Sequence, residues 1–403
     1  MNACGLVVEY NPLHNGHVYH IKQAQKISRA DCMIAVMSGS FLQRGEPAIV
    51  DKFQRTKAAL ASGIDIVLEL PYPFAVQSSR WFATGAIKTL HEIGVKAICF
   101  GSESGEITDF TTSYQLLTTK RHEYDNTLKD YLNKGYSYPQ ASKYAYQKIG
   151  LTDDTMDLSK PNNILGLSYV KAILNNNYPI TPLTIKRIQN NYHDSMITNS
   201  IASATSIRKK LLETNNLRNV IDTIPPVMTE QLQNYKLATS LWHQWDNYFN
   251  LIHYRIMTMS AGELRTIQGV DEGLEHRIKK TAKKAASFHT WVQAMKTKRY
   301  TWNRIQRIFT HILTNTKKEE INHIHNRSSL PYVRLLGMTK KGQAYLNQQK
   351  KNMNVPIVSS LQRTMDPMLM IEERSTYAYY SICPRSVKDK LYKQELQLPI
   401  IAN

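Results

Sequence analysis

Short apolar runs alternate with helix-like stretches through the first 110 residues, and few folds accommodate that pattern. Gly5 to Glu9 (GLVVE), Met33 to Met37 (MIAVM), Ile64 to Leu70 (IDIVLEL) and Val95 to Phe100 (VKAICF) read as buried strands. His17 to Ser28, Asp51 to Ser62 and Phe82 to Ile93 show helical spacing between them. Strand–helix–strand order predicts a parallel α/β sheet with right-handed crossovers. Ligands bind such sheets beyond the carboxyl ends of the strands, so the loops after the strands are the first places to seek chemistry.

Further along, Asp125 to Ile149 and Asn162 to Leu174 read as helices, Leu183 to Ile188 as a late strand, and Ser206 to Leu212 as a helix start. The strand signal fades near residue 215. Residues 228–325 are mostly helical in pattern, and 331–403 look mixed, with short strands expected at Val355–Ser359 and Tyr377–Ile382. A chain of 403 residues exceeds one small domain. The expected division is an α/β domain over 1–215 and a mainly helical region over 216–403.

Charge separates the same two parts. The net charge is +19, of which residues 1–200 contribute +3 and residues 201–403 contribute +16. The segment 276–318 holds 12 Lys and Arg and no acid. A near-neutral half joined to a strongly basic half suggests a catalytic core beside a polyanion-binding region. The four cysteines, Cys4, Cys32, Cys99 and Cys383, form no CxxC pair, which argues against a zinc ribbon or a disulfide scaffold. No leader and no apolar stretch of membrane-spanning length is evident, so a reducing, cytoplasmic setting without membrane attachment is expected.

The sharpest motif is Glu9-Tyr10-Asn11-Pro12-Leu13-His14-Asn15-Gly16-His17, placed where the first strand hands over to the first helix. Gly16 lets backbone amides approach a phosphate, and the helix N-terminus adds a positive dipole. His14 and His17 can donate to the phosphoryl oxygens of a nucleotide as charge builds on the α-phosphate. A second element, Ser203-Ala204-Thr205-Ser206-Ile207-Arg208, opens a later helix. Its hydroxyls, amides and arginine would cradle the β- and γ-phosphates. Read alone, it is an ordinary helix cap with a surface arginine.

HxGH after the first strand, with S-x-T-x-I-R late in the domain, resembles the nucleotidylyltransferase superfamily. The longer strings GLVVEYNPLHNGH, MSGSFLQRGEPAIV, IDIVLELP, FGSE and KPNNILGLSYVKAI are similar to those of the tRNA(Met) cytidine acetate ligases. EGLEHRIKK and KTKRYTWNRIQRIFTHILT extend the likeness over most of the chain. The resemblance implies a Rossmann-like nucleotidylyltransferase domain followed by a mainly helical, basic C-terminal region. It implies that acetate is activated with ATP as acetyl-adenylate and passed to N4 of the wobble cytidine of elongator tRNA(Met). ATP would lie against the first-strand loop: Val7, Val8, Glu9, Tyr10, Asn11, Pro12, Leu13, His14, Asn15, Gly16, His17, Val18, Tyr19 and His20. Gly101, Asn162, Arg187, Ile188, Ser203 and Thr205 would complete its site, with His14, His17 and Arg208 catalytic. Mg²⁺ would arrive on the phosphates rather than on a dedicated protein site.

Three further readings come from the residues. The loop 38–47 (SGSFLQRGEP) lies at the predicted ligand edge, where Arg44 would meet a carboxylate or a tRNA phosphate and Glu46 would orient it. Asp65 and Glu69 share one face of a strand, which points to buried pairing with Lys or Arg rather than to catalysis. In 276–318, Lys279, Lys280, Lys283 and Lys284 fall on one helical face. Lys296, Lys298, Arg299, Arg304 and Arg307 follow, interleaved with Trp291, Tyr300 and Trp302. Cations beside aromatics suit a structured RNA with an exposed loop, although a solvated helix over core aromatics gives the same pattern. Two alternatives remain open: a small-molecule adenylyltransferase using the same chemistry, and a non-catalytic RNA-binding protein on a relic nucleotide fold.

Overall fold

The computed structural model describes residues 1–151, 156–187, 202–271, 273–361 and 366–402. Eight strands form one sheet: β1 (Ala3–Val8), β2 (Cys32–Ser38), β3 (Ile66–Leu70), β4 (Ala97–Ser102), β5 (Thr181–Lys186), β6 (Val333–Thr339), β7 (Ile357–Val358) and β8 (Ile400–Ala402). Their order is β5-β4-β1-β2-β3-β6-β7, with β8 also against β6. The β1–β5 pairings are parallel, and β6 lies antiparallel on β3. Every residue of β2 is buried, as expected of a parallel strand covered on both faces.

The helices that position the site are α1 (Asn15–Ser28), α2 (Lys52–Ala61), α3 (Ser79–Glu92) and α4 (Ile107–Thr119). Then come α5 (Pro161–Asn175) and α6 (Ala204–Thr214). The chain winds from β1 to β2 and β3 on one side, then crosses to β4 and β5 on the other. The switch point therefore falls between β1 and β4, where an open α/β sheet leaves a crevice at its carboxyl edge. The expected helix over 125–149 is two helices, Arg121–Asn133 and Tyr138–Lys148. Gly135, at φ +82, makes the break, a left-handed backbone that suits glycine.

The C-terminal part is more than a helical appendage. The segment 226–325 is helical, with α7 (Trp245–Thr258), α8 (Leu274–Ala282), α9 (Phe288–Met295) and α10 (Trp302–Leu313) closing on a core of Trp245, Phe288, Trp291 and Phe309. The chain then returns, and β6, β7 and β8 complete the same sheet, so the division at 215 does not divide the sheet. The physical reason lies in the β3 edge. Glu69 pairs in register with Arg334 of β6, and both are about 1% exposed. Lys52 of α2 bridges Glu69 at 2.6 Å and Glu395 at 2.9 Å, and Arg334 reaches Glu395 at 2.5 Å. Glu372 is buried beside them and accepts from the Tyr72 amide at 2.7 Å. Burial and the neighbouring Glu69 push the Glu372 carboxyl well above its ordinary range, so it stays protonated. Two cations then face two carboxylates. Asp65 accepts from the Met33 amide and pairs with Lys341 at 3.0 Å. Both strand acids are thus structural, as their spacing indicates.

One expected strand is wrong. Tyr377–Ile382 falls at the end of the helix α11 (Pro367–Tyr380). Asp366 caps that helix through the Met368 amide, and Pro367 occupies its first turn. Within the tyrosine run that mimics a strand, Tyr379 and Tyr380 form a buried helical face while Tyr377 is exposed. Tyr379 donates to the Ala48 carbonyl at 2.8 Å, and Tyr380 to Asp51 at 3.2 Å.

Candidate active site

The first-strand loop ends in a helix cap made of histidines. His14 is the N-cap of α1, and its Nδ1 accepts from the Gly16 amide at 3.1 Å. His17 sits at the third helical position, and its Nδ1 accepts from the His14 amide at 3.2 Å. This is the reciprocal capping box usually built from Ser and Glu, here built from two imidazoles three residues apart. The rings stack with centroids 3.7 Å apart and 28° between planes. Burial lowers the His14 pKa to about 3, helped by Arg187 and Arg208. Burial, His14 and Arg187 hold His17 well below its ordinary value. Both rings are therefore neutral at pH 7. Because each Nδ1 accepts a backbone N–H, the ring proton lies on Nε2 in both. The cap uses one face of each imidazole and leaves an N–H donor on the other. Burial likewise lowers His20 to about 4.

Positive charge at the site comes from two arginines. Arg208 of α6 donates from Nη1 to the Asn11 carbonyl at 3.0 Å and from Nη2 to Glu46 Oε2 at 2.9 Å. The S-x-T-x-I-R element thus meets the HxGH loop directly. Ser203 caps α6, accepting from the Ser206 amide at 3.1 Å, and Thr205 is exposed at the same turn. Arg187, just after β5, influences His14, His17 and His20. Its aliphatic stem fills the space over Gly101, where an added Cβ would lie 3.2 Å from Arg187 Cγ. Gly101 thus makes room for a side chain of this protein. Ile188 lies outside the described residues.

Asn162 is not the cap of α5, which begins after Lys160. Its side-chain amide donates to Glu103 Oε1 at 2.7 Å, and Glu103 Oε2 accepts from the Asn163 amide at 2.8 Å. Asn163 returns the contact, its Oδ1 accepting from the Glu103 and Ser104 amides. Glu103, at the end of β4, therefore holds the α5 N-terminus against the crevice. The remaining loop positions distribute by depth. Val8, Tyr10, Asn11, Pro12 and Leu13 are buried, Val7, Glu9, Asn15, Gly16 and Val18 are half-buried, and Tyr19 is exposed. The Tyr10 hydroxyl and the Asn11 Nδ2 are buried without a hydrogen-bond partner.

Sequence reasoning missed the residue that joins the loops. Arg55 of α2 is fully buried and donates from Nη1 to the Glu9 carbonyl at 2.7 Å and to the Ser38 carbonyl at 2.9 Å. It also donates to the Gly39 carbonyl through Nη2. The only sequence signal was an arginine four residues after the Asp51 cap on an otherwise buried face. Glu9 accepts from the Gln43 amide at 2.8 Å, and burial pushes its carboxyl above the ordinary range. Glu46 orients Arg208 rather than Arg44, which corrects the pairing expected within the loop.

The basic segment divides into three roles. Lys279 caps the end of α7 through the Ile256 carbonyl at 2.9 Å and the Met259 carbonyl. Arg307 donates to the Gln43 carbonyl of the 38–47 loop at 3.4 Å. Lys280, Lys283, Lys284, Lys296, Lys298 and Arg299 are exposed, and Arg304 lies over the Tyr300 ring at 4.9 Å. Lys280 and Lys284 line a surface cleft of about 330 Å³ with Arg277 and Thr290. Trp291 is 1% exposed and its indole donates to Thr281, so it belongs to the core. Tyr300 is nearly buried as well, whereas Trp302 is half-buried against His289.

The sequence matches the HIGH Nucleotidyl Transferase family over residues 1–395. A curated relative from Oceanobacillus iheyensis, named tRNA(Met) cytidine acetate ligase, is 56% identical over 402 residues and covers 100% of both chains. One of the same name from Bacillus subtilis is 46% identical over 94% of this chain and 92% of its own. The crystal structure of Thermotoga maritima TmcAL bound with alpha-thio ATP superposes with a TM-score of 0.89 at 32% identity. It covers 100% of this chain and 99% of that one. The apo form of the same protein gives a TM-score of 0.92 with the same coverage.

Proposed function

The chain belongs to the HIGH nucleotidyl transferase family and to its tRNA(Met) cytidine acetate ligases, and from that premise we propose the following reaction at this site. ATP, carrying Mg²⁺ on its phosphates, lies across the β1–β4 crevice. An acetate oxygen attacks the α-phosphorus, the bond to the β-phosphate oxygen breaks, and pyrophosphate leaves with the electron pair. The N4 lone pair of the wobble cytidine of elongator tRNA(Met) then attacks the acetyl carbon. The carbon–oxygen bond to the phosphate breaks, AMP departs, and N4 loses one proton.

The observation that carries this reading is the imidazole capping box. His14 and His17 keep neutral Nε2–H donors for the α-phosphate, donors that need no reorganisation as charge develops there. Arg208 supplies the fixed charge for the β- and γ-phosphates. Among the described residues there is no group of three or more His, Cys, Asp or Glu able to hold a metal, so no residue is assigned to Mg²⁺. The acyl-adenylate is already activated, so the second step depends on placing N4. Exposed Lys280, Lys283, Lys284, Lys298 and Arg299, with Arg304, supply the tRNA-facing charge. Arg307 stands between that surface and the active-site loop. Among the described residues no helix is long and apolar enough to cross a membrane; the proposed substrates, ATP and tRNA, favour the cytoplasm.

The reading is tested with purified protein, ATP, radiolabelled acetate and total bacterial tRNA, digested afterwards to nucleosides. ATP-dependent label in N4-acetylcytidine is the expected result. Acetate-independent pyrophosphate release with no label in RNA would favour a small-molecule adenylyltransferase instead.

A further inference from the structure

The loop between β2 and α2 touches both halves of the molecule. Toward the nucleotide side, the Gln43 amide donates to Glu9 at 2.8 Å and the Ile49 amide to Asn11 Oδ1 at 2.8 Å. Toward the helical side, Thr310 donates to the Gly45 carbonyl at 2.7 Å and Gln306 to the Arg44 carbonyl at 3.2 Å. Both donors belong to α10. Gly45 has φ +87, and a Cβ there would lie 2.7 Å from the Arg307 amide nitrogen. The loop backbone is therefore seated on α10 as closely as glycine permits. The next side chain, Glu46, reaches back across the crevice to Arg208.

A carboxylate beside a triphosphate site repels the ligand, so its presence needs an offsetting role. Arginine carries five N–H donors in a rigid fork, and Asn11 and Glu46 occupy two of them here. With both contacts in place the guanidinium is fixed in plane and direction, and the rest of the fork stays available to phosphate. We infer that Glu46 is a positioning residue that holds Arg208 for the triphosphate, and that the Gly45 seat on α10 sets where Glu46 stands. The loop thereby couples its seat on the helical half to Arg208 through the Glu46 ion pair. The inference rests on Arg208 being the phosphate clamp.

The test is a double-mutant cycle on ATP–pyrophosphate exchange in the presence of acetate, using the full chain as wild type, E46A, R208A and the pair. E46A is expected to raise the KM for ATP about tenfold while kcat changes less than about threefold. E46Q, which keeps an acceptor but not the charge, is expected near threefold. In the R208A background neither Glu46 substitution adds a further change, because Glu46 acts only through Arg208. Melting temperatures are read on every variant. Should E46A lose stability, the E46Q pair, with and without Arg208, gives the same readout. A KM for ATP that falls or stays unchanged in E46A and E46Q, while R208A is impaired, overturns the inference alone. So does a Glu46 effect that multiplies with R208A. An R208A enzyme with unaltered ATP dependence overturns the clamp assignment and this inference with it.

Discussion

Two clusters of charged and titratable side chains stand at the carboxyl edge of the same sheet, and they solve opposite problems. Beyond β1, His14, His17, Arg208 and Glu46 are tied to one another or to backbone while donors remain uncommitted. At the β3–β6 seam, Lys52, Glu69, Arg334 and Glu395 are all about 1% exposed and engage one another. Residue types overlap, so identity does not separate chemistry from architecture. What separates them is what they engage: the seam residues mainly one another, the cluster beyond β1 mainly backbone groups. In the histidine pair Nδ1 caps a helix, and Nε2 is the donor proposed for the α-phosphate.

The comparison breaks first at His17. His17→Glu keeps a capping-box acceptor but carries no N–H donor, so acetate-dependent pyrophosphate exchange should fall by at least about 10²–10³ while the melting temperature holds. Retained exchange would contradict the division between the two ring nitrogens. The opposite behaviour is expected at the seam. Arg334→Met leaves Glu69 and Glu395 sharing Lys52, which should cost about 3–5 kcal/mol of stability in chemical denaturation. ATP affinity of whatever remains folded should be unchanged. Next comes the helical surface. Charge reversal at Lys280, Lys283 and Lys284 should weaken tRNA binding by at least about tenfold, with a shallower salt dependence. Pyrophosphate exchange should be untouched, and Lys279 is left out because it caps α7. A pH series tests the electrostatics. His14, His20, His311 and His325 are depressed to about 3, 4, 3 and 4. Below pH 6.5 the unfolded chain takes protons that these folded sites refuse. Stability should therefore be full above pH 6.5 and fall toward pH 4, by up to about 1.4 kcal/mol per pH unit for each such histidine. A flat denaturation midpoint between pH 7 and 5 would show that these rings are not held neutral.

Much of this is legible in the sequence. The β1–β4 strands, the helices between them and the HxGH turn follow from periodicity, because apolar alternation and glycine placement act locally. Asp65 and Glu69 were legible as structural for the same reason. What was not legible depends on contacts distant in sequence. β6 carries a buried arginine that only Glu69 and Glu395 make tolerable, so VRLLGMT gives little strand signal by itself. Tyr377–Ile382 has strand composition, but Asp366 and Pro367 start a helix eleven residues earlier. Glu46 reads as a partner for nearby Arg44, yet it pairs with Arg208 far along the chain. Trp291 looks like a base-stacking platform among lysines until its packing on Phe309 places it in the core. Periodicity finds faces, and only the tertiary structure says what each face meets.

The proposed adenylation site depends on two neutral imidazoles whose free donors are the Nε2–H groups. Nitrogen-15 NMR of the histidine-labelled enzyme, with His14 and His17 assigned by substitution, observes this directly. Both rings should show the Nε2–H tautomer at pH 7, with no titration between pH 8 and 5 in the absence of ATP. A protonated ring at pH 7, a midpoint near 6.5, or an Nδ1–H tautomer at either position would contradict the shared use of these histidines for cap and catalysis.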